Sequence, residues 1–198
     1  MRVGAVITAA GMSTRMGDFK QLMKLGPHSL IEHVVDIFEQ THISEIVVVI
    51  GYRADEIMDA LTNHNVTFVY NEGYENTQML TSVKLGLKAI QDKVDRVFFC
   101  PCDVAAFSVE TVKRLADAEG LVLLPSYEGR TGHPICLASS LIPVILEYEG
   151  SEGLKGAINS IDITPVKIEV YDEGILKDAD TMADYEGVRT LYEKKFKV

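Results

Sequence analysis

Two stretches carry residue types that a phosphate-handling site needs. The first, TAAGMSTRMGDFKQL from Thr8 to Leu22, crowds small residues, hydroxyls and two cations directly after an apolar run. Ala9, Ala10 and Gly11 have little bulk, so their backbone N–H groups can approach an anion closely. Arg15 can fork two oxygens of a phosphate, and Lys20 adds a point charge further along. The spacing is Gly11-x-Ser13-x-Arg15-Met16-Gly17-x-x-Lys20. It is not the G-x-G-x-x-G of dinucleotide folds, and it lacks the G-K-[ST] ending of a P-loop. A surface turn bearing solvated cations is the competing reading of these residues. The second stretch is Cys102-Asp103-Val104-Ala105, at the end of another apolar run. Mg²⁺ prefers one or two carboxylates with phosphate oxygens and water, which suits Asp103. An aspartate that favours the N-terminus of the helix after Ser108 would look the same.

These loops must be held by regular elements, and the elements alternate. Val3 to Thr8, Ile46 to Ile50, Val66 to Tyr70 and Val94 to Cys100 are short β-branched or aromatic runs suited to buried strands. Between them lie helical patterns. Ser29 with Glu32 reads as a capping box, followed by the stripe Ile31, Val34, Val35 and Phe38. Leu80, Val83, Leu87 and Ile90 mark the next clear helix, and Val112 and Leu115 one after Ser108. Such alternation implies right-handed βαβ units and a mainly parallel sheet. Ligands then sit beyond the carboxyl ends of the strands, where both loops fall. Further on, residues 121–124, 135–137 and 166–170 read as strands, and residues 154–160 and 181–195 as helices.

With 198 residues, 47% hydrophobic and 24% charged, the chain can bury a sizeable core in one domain, residues 1–198. A net charge of −10 argues against a nucleic-acid partner. The apolar start at Val3 is short and soon meets Ser13, Thr14 and Arg15, unlike a secretory signal, and no run is long enough for a membrane span. Three cysteines give no disulfide framework and suit a reducing compartment, so a cytoplasmic protein is expected. Cys100 and Cys102 form a C-x-C pair with no second pair, and read as buried reduced thiols.

The opening loop resembles the signature of the molybdenum cofactor cytidylyltransferases, a branch of the nucleotidyltransferase superfamily. GYRADEI (51–57), NEGYENTQMLTSVKLGL (71–87), the Asp103 loop, GHPICL (132–137) and DADTMADYEGV (178–188) follow in the same order, so the resemblance covers nearly the whole chain. It implies a three-layer α/β/α, Rossmann-like fold of the nucleotidyltransferase type. It also implies transfer of CMP from CTP to the terminal phosphate of molybdopterin or the molybdenum cofactor, releasing pyrophosphate. Gly11, Ser13, Arg15, Gly17 and Lys20 match the triphosphate-binding motif, and Ala9 and Ala10 before them would bind nucleotide too. Ala9-Ala10-Gly11 is similar to the cytidylyl branch, the guanylyl branch having a second glycine there. Thr81 and Ser82 would lie near base and ribose, although two hydroxyls near a helix start also serve as local caps.

By the same resemblance Arg15, Lys20 and Asp103 would carry catalysis, and Mg²⁺, with Mn²⁺ as a substitute, would be the cofactor. Asp103 matches the metal-binding aspartate, and Asp178 and Asp180 could supply a second ligand. Thr181 with Asp184 resembles a capping box, which gives Asp180 a structural reading instead. Arg130, His133 and Lys155 would border the acceptor. Lys155 stands where arginine is common and loses the bidentate fork, and His133 could equally be a turn residue. The family's usual Gly-Asp-Met-Pro is replaced by Cys102-Asp103-Val104-Ala105, so the loop lacks its stiffening proline. The acceptor phosphate is already ionised, so no covalent intermediate is needed. Implied partners are CTP, a phosphorylated pterin and a transient molybdoenzyme or chaperone partner. Two rival functions remain: nucleotidyl transfer to a sugar-, alditol- or amino-alcohol-phosphate, and non-catalytic escort of nucleotide or cofactor to a molybdoenzyme.

Overall fold

Residues 3–8 and 45–50 are apolar on both faces, which suits a sheet covered on both sides. The computed structural model describes residues 1–41, 43 and 45–196. Its elements are β1 (Val3–Thr8), the hairpin β2 (Lys24–Leu25) and β3 (His28–Ser29), α1 (Leu30–Glu39), β4 (Glu45–Ile50), α2 (Ala54–Ala60), β5 (Thr67–Tyr70), α3 (Met79–Ile90), β6 (Arg96–Pro101) and α4 (Val109–Asp117). Then follow β7 (Val122–Tyr127), β8 (Arg130–Thr131), β9 (Ile135–Ala138), α5 (Ile142–Glu147), α6 (Gly153–Asn159), β10 (Val166–Glu169) and α7 (Met182–Phe196).

The main sheet runs β10-β7-β9-β6-β1-β4-β5, with β8 paired to β7. β1 is parallel to both β4 and β6, β4 to β5, and β7 to β10. Only β9, antiparallel to β6 and β7, and the short β8 break the pattern in this sheet. The chain leaves β1 in one direction through β4 and β5, and returns on its other side as β6. That reversal opens a crevice beyond the carboxyl ends of β1 and β6. Alternate residues of β1 feed two separate cores. Ala5 and Ile7 join Leu30, Val34, Phe38, Leu115 and Val188 on one face. Val6 joins Leu80, Val83, Leu87, Ile142 and Ala157 on the other. The result is a three-layer α/β/α fold.

Local chemistry explains the helices nearest the crevice. Ser29 caps α1 as a full box, with Glu32 Oε2 accepting the Ser29 N–H at 2.7 Å. α3 lies hard on β1: a Cβ at Gly86 would meet Val6 Cγ1 at 2.3 Å. Only glycine lets the helix come that close, and this sets the depth of its first turn over the crevice. Strand β6 starts at Arg96 rather than Val94, because Asp95 and Arg96 first donate their N–H groups to the Arg2 carbonyl. Among the described residues no helix is long and apolar enough to cross a membrane.

One buried carboxylate ties the later elements together. Asp172, 4% exposed, accepts hydrogen bonds from Ser108 N (2.7 Å), Thr111 Oγ1 (2.6 Å) and Gly174 N (3.1 Å), and pairs with Lys195 of α7. Burial alone would raise its pKa, but Lys195 and the hydroxyl and amide donors together hold it below the ordinary value. A carboxylate depressed in the folded state contributes stability above its unfolded pKa, ordinarily 3.8, and loses it as pH falls through the folded value. Asp172→Ala should therefore lower unfolding free energy by about 3–5 kcal/mol at neutral pH, measured by denaturant titration. The gap to the unsubstituted protein should shrink as pH drops below the ordinary carboxylate range. A gap that is the same in acid and at neutrality would contradict this.

Candidate functional site

The loop after β1 is folded around one amide. Gln21, in a single 3₁₀ turn at Lys20–Leu22, is 1% exposed. Its Nε2 donates to the carbonyls of Gly11 (2.7 Å) and Ala9 (3.2 Å), and its Oε1 accepts from Ser13 Oγ (2.8 Å). Ser13 Oγ in turn accepts the Lys20 N–H at 3.3 Å. Among the described residues, the N–H groups of residues 10–15 have no protein acceptor, whereas Ala9 and Met16 on either side do. With carbonyls bound from beneath and donors left free, the loop is built to receive negative charge. Ser13 (φ 54°) and Gly17 (φ 72°) supply the left-handed turns, and buried Met16 and Phe19 anchor the loop in the core. Gly17 therefore shapes the loop rather than lining the cleft.

Charge converges from three segments at the end of this loop. Lys20 Nζ lies 2.6 Å from Asp103 Oδ2 and 3.0 Å from Asp180 Oδ1, and Arg15 reaches Asp180 Oδ2 at 3.0 Å. Burial works to lower the Lys20 pKa, but Asp103 and then Asp180 outweigh it, so the pKa is raised and the ammonium kept. Burial would likewise raise Asp180, yet Lys20 and Arg15 leave it lowered. Asp178 is raised, by burial and then by the charges of Asp180 and Asp103. Among the described residues, these three carboxylates do not gather as a set within 4.8 Å, and Lys20 bridges Asp103 and Asp180. Thr181 and Asp184 do form the capping box, at 3.0 and 3.2 Å. The cap reading of Asp180 is corrected by this geometry: its neighbours do the capping, and its own carboxylate turns to the two cations.

The missing proline beside Asp103 is offset by backbone bonds and burial. Cys102 N donates to Thr8 O (3.1 Å), Val104 N to Pro101 O (3.3 Å) and Ala179 N to Asp103 O (3.1 Å). Val104 and Ala105 are buried, so the segment is fixed on both sides of the carboxylate. Burial raises the pKa of Cys100 and Cys102, and that of Cys136 to about 12.

Between the loop and the start of α3 lies a cleft of about 230 Å³. Ala9, Ala10, Gly11, Ser13, Arg15, Lys20, Ser82, Asp103 and Asp180 line it, and so do residues not anticipated from the sequence, chiefly Gln21, Asn71, Thr77 and Gln78. Asn71, 3% exposed, donates to Thr77 Oγ1 and Ser82 Oγ, both at 3.0 Å. An asparagine immediately after a strand that ends at the crevice is the signal that could have revealed it. Thr8 Oγ1, also on the wall, is buried without a hydrogen-bond partner among the described residues. Thr81 does not line the cleft, and its N–H closes the turn onto Gln78 O at 3.0 Å.

The acceptor candidates scatter. Arg130 lines a second cleft of about 550 Å³ with Tyr127, Lys177, Asp178 and Asp184. His133 is half-buried and lines neither cleft, its ring edge-on to Phe99 at 5.5 Å and its backbone N–H donating to Ile175 O at 3.0 Å. Burial lowers its pKa, against opposing contributions from the Phe99 backbone and Asp103. Lys155 is exposed on α6 and lines neither cleft.

The MobA-like NTP transferase domain profile matches residues 5–166. The molybdenum cofactor cytidylyltransferase of Escherichia coli is 26% identical over 192 residues, which is 96% of this chain and 97% of that protein. A nucleotidyl transferase structure from Methanothermobacter superposes with TM-score 0.86 at 22% identity, over 98% of this chain and 99% of its own. A Mycobacterium tuberculosis protein in complex with manganese superposes with TM-score 0.76 at 17% identity, over 96% and 98%.

The role of Gln21 is testable through its donors. Gln21→Glu keeps the shape but cannot donate to the two carbonyls at neutral pH, and Gln21→Leu removes every bond. Each should cost about 1–3 kcal/mol in denaturant titration, and each should weaken inorganic triphosphate binding at least about tenfold by calorimetry. Unchanged triphosphate affinity in both variants would refute the assignment.

Proposed function

The chain belongs to the MobA-like NTP transferase family; within its nucleotidyltransferase chemistry we propose that it transfers CMP from CTP to the terminal phosphate of molybdopterin or its molybdenum-loaded form. The observation that carries this reading is the loop turned inside out by Gln21, with its own Lys20 held against Asp103 and Asp180 at the loop's end. The cytidylyl and pterin assignments are supported by the 26% identity to the Escherichia coli cytidylyltransferase over 96% of the chain, and by Ala9-Ala10-Gly11.

In this reading an oxygen of the acceptor phosphate attacks the α-phosphorus in line, the bond to the β-phosphate oxygen breaks, and pyrophosphate leaves. Negative charge grows on the leaving group. The free N–H groups of residues 10–15 and the Arg15 guanidinium meet it, and Lys20 exchanges a carboxylate partner for a phosphate oxygen. No protein base is required, because the attacking oxygen carries no proton to remove. Ser82, with its partner Asn71, would meet the nucleoside, and the Thr8 hydroxyl leaves an unused hydrogen bond on the cleft wall.

A hard divalent ion, Mg²⁺ or Mn²⁺, fits the oxygen-only pair Asp103 and Asp180, which already bracket one cation, the Lys20 ammonium; Asp178 lies outside that pair. When bound, it would withdraw charge from the phosphate oxygens. Asp178 and Arg130 share the second cleft, which we assign to the acceptor, so Asp178 stands between the two substrates.

Pyrophosphate release from purified protein, CTP and molybdopterin tests the proposal. We expect turnover with CTP well above that with GTP, and a loss of about 10²–10³-fold or more in Asp103→Ala and in Lys20→Met. Equal use of GTP would overturn the base assignment. Turnover with an alditol or sugar phosphate but not with the pterin would reassign the acceptor. Tight CTP binding with no turnover under any acceptor would favour an escort instead.

A further inference from the structure

A second set of chemically competent side chains lies on a different part of the molecule and lines none of the clefts described. We propose that Asp36, Glu39 and His64, with His28 as fourth donor, form a binding site for a divalent transition-metal ion of the zinc type. Asp36 and Glu39 are three residues apart on α1 and so share a face. His64, on the connection between α2 and β5, reaches that face: its Nδ1 lies 3.0 Å from Glu39 Oε2 and 3.8 Å from Asp36 Oδ1. One ligand atom from each of these three residues falls within 4.8 Å of the others. His28, just before α1, lies outside that set of three but places its Nδ1 3.4 Å from the second oxygen of Asp36, and its side chain, 43% exposed, would turn inward to complete the shell.

Tetrahedral zinc with arms of about 2.1 Å has ligand-to-ligand edges of about 3.4 Å. The His64–Glu39, His28–Asp36 and His64–Asp36 contacts, at 3.0, 3.4 and 3.8 Å, straddle that length, Asp36 meeting the two histidines with different oxygens. Glu39 is also oriented from outside, because its other oxygen accepts the Asn65 N–H at 3.0 Å. Such outer contacts hold a ligating carboxylate in place.

Charge points the same way. Glu32, Asp36 and Glu39 crowd one helical face. Among the described residues, no lysine or arginine nitrogen lies within 4.0 Å of their carboxylates; their ion-pair partners are the two histidines. A dication would neutralise this surplus of carboxylates. Two imidazoles with two carboxylates suit zinc better than magnesium, which distinguishes this site from the all-oxygen one at Asp103. The ion would clip the end of α1 to the α2–β5 connection.

The test is titration of the metal-free full chain with Co²⁺, read by visible absorption, followed by displacement with Zn²⁺. We expect one equivalent with the intense bands of tetrahedral cobalt, displaced stoichiometrically by zinc. His64→Ala should weaken binding at least about 100-fold, and His28→Gln, at the more exposed donor, at least about tenfold. Asp103→Asn should leave the spectrum intact. His28→Gln decides the matter should His64→Ala fail to fold by circular dichroism. Absence of a saturable tetrahedral spectrum up to about 1 mM cobalt would overturn the proposal. So would unchanged affinity in His28→Gln, or loss of the spectrum in Asp103→Asn.

Discussion

The Lys20 ammonium, held between Asp103 and Asp180, is the interaction on which the rest of the site depends. It joins three segments that are distant in the chain: the loop after β1, the loop after β6 and the residues before α7. The first two meet because β1 and β6 pair in parallel, which sets the ends of those strands side by side, and the third is tied to the second by Ala179 N donating to Asp103 O. The fold's central reversal of strand order is therefore the geometric condition for the charge cluster. The cluster in turn gives the crevice a balance of charge that a triphosphate and its counter-ion can replace group by group.

The second constraint is the division of labour within the loop itself. A backbone cannot present donors to a ligand unless its carbonyls are satisfied elsewhere. Here one side-chain amide takes two carbonyls and a hydroxyl at once, and the donors are left outward. Arg15, mostly exposed, adds little to stability through its pair with Asp180. Its value lies in reach, because it can follow a ligand's charge while Lys20 stays half-buried below.

Much of this was legible in the residues. β1 and the capping box of α1 stand where the apolar run and the Ser29–Glu32 pair place them. The stripe Leu80, Val83, Leu87, Ile90 is buried as expected. What escaped did so for physical reasons. α2 buries a single residue, Ile57, so it has no stripe to read, and α5 is six residues long with proline in its first turn. Gln21 and Asn71 are polar residues that face inward, and hydrophobic periodicity is blind to them. Asp180 could not be told from a cap, because its neighbours Thr181 and Asp184 carry the capping pattern. The group at His28, Asp36, Glu39 and His64 has no motif spacing, since packing rather than sequence distance brings His64 to α1.

A crystal structure of the chain with CTP and Mn²⁺ tests the central claim most directly. The account predicts the triphosphate against the N–H groups of residues 10–15, Lys20 Nζ on a phosphate oxygen, and Asp103 on the metal. A nucleotide bound elsewhere, with Lys20 still bridging Asp103 and Asp180, would contradict it.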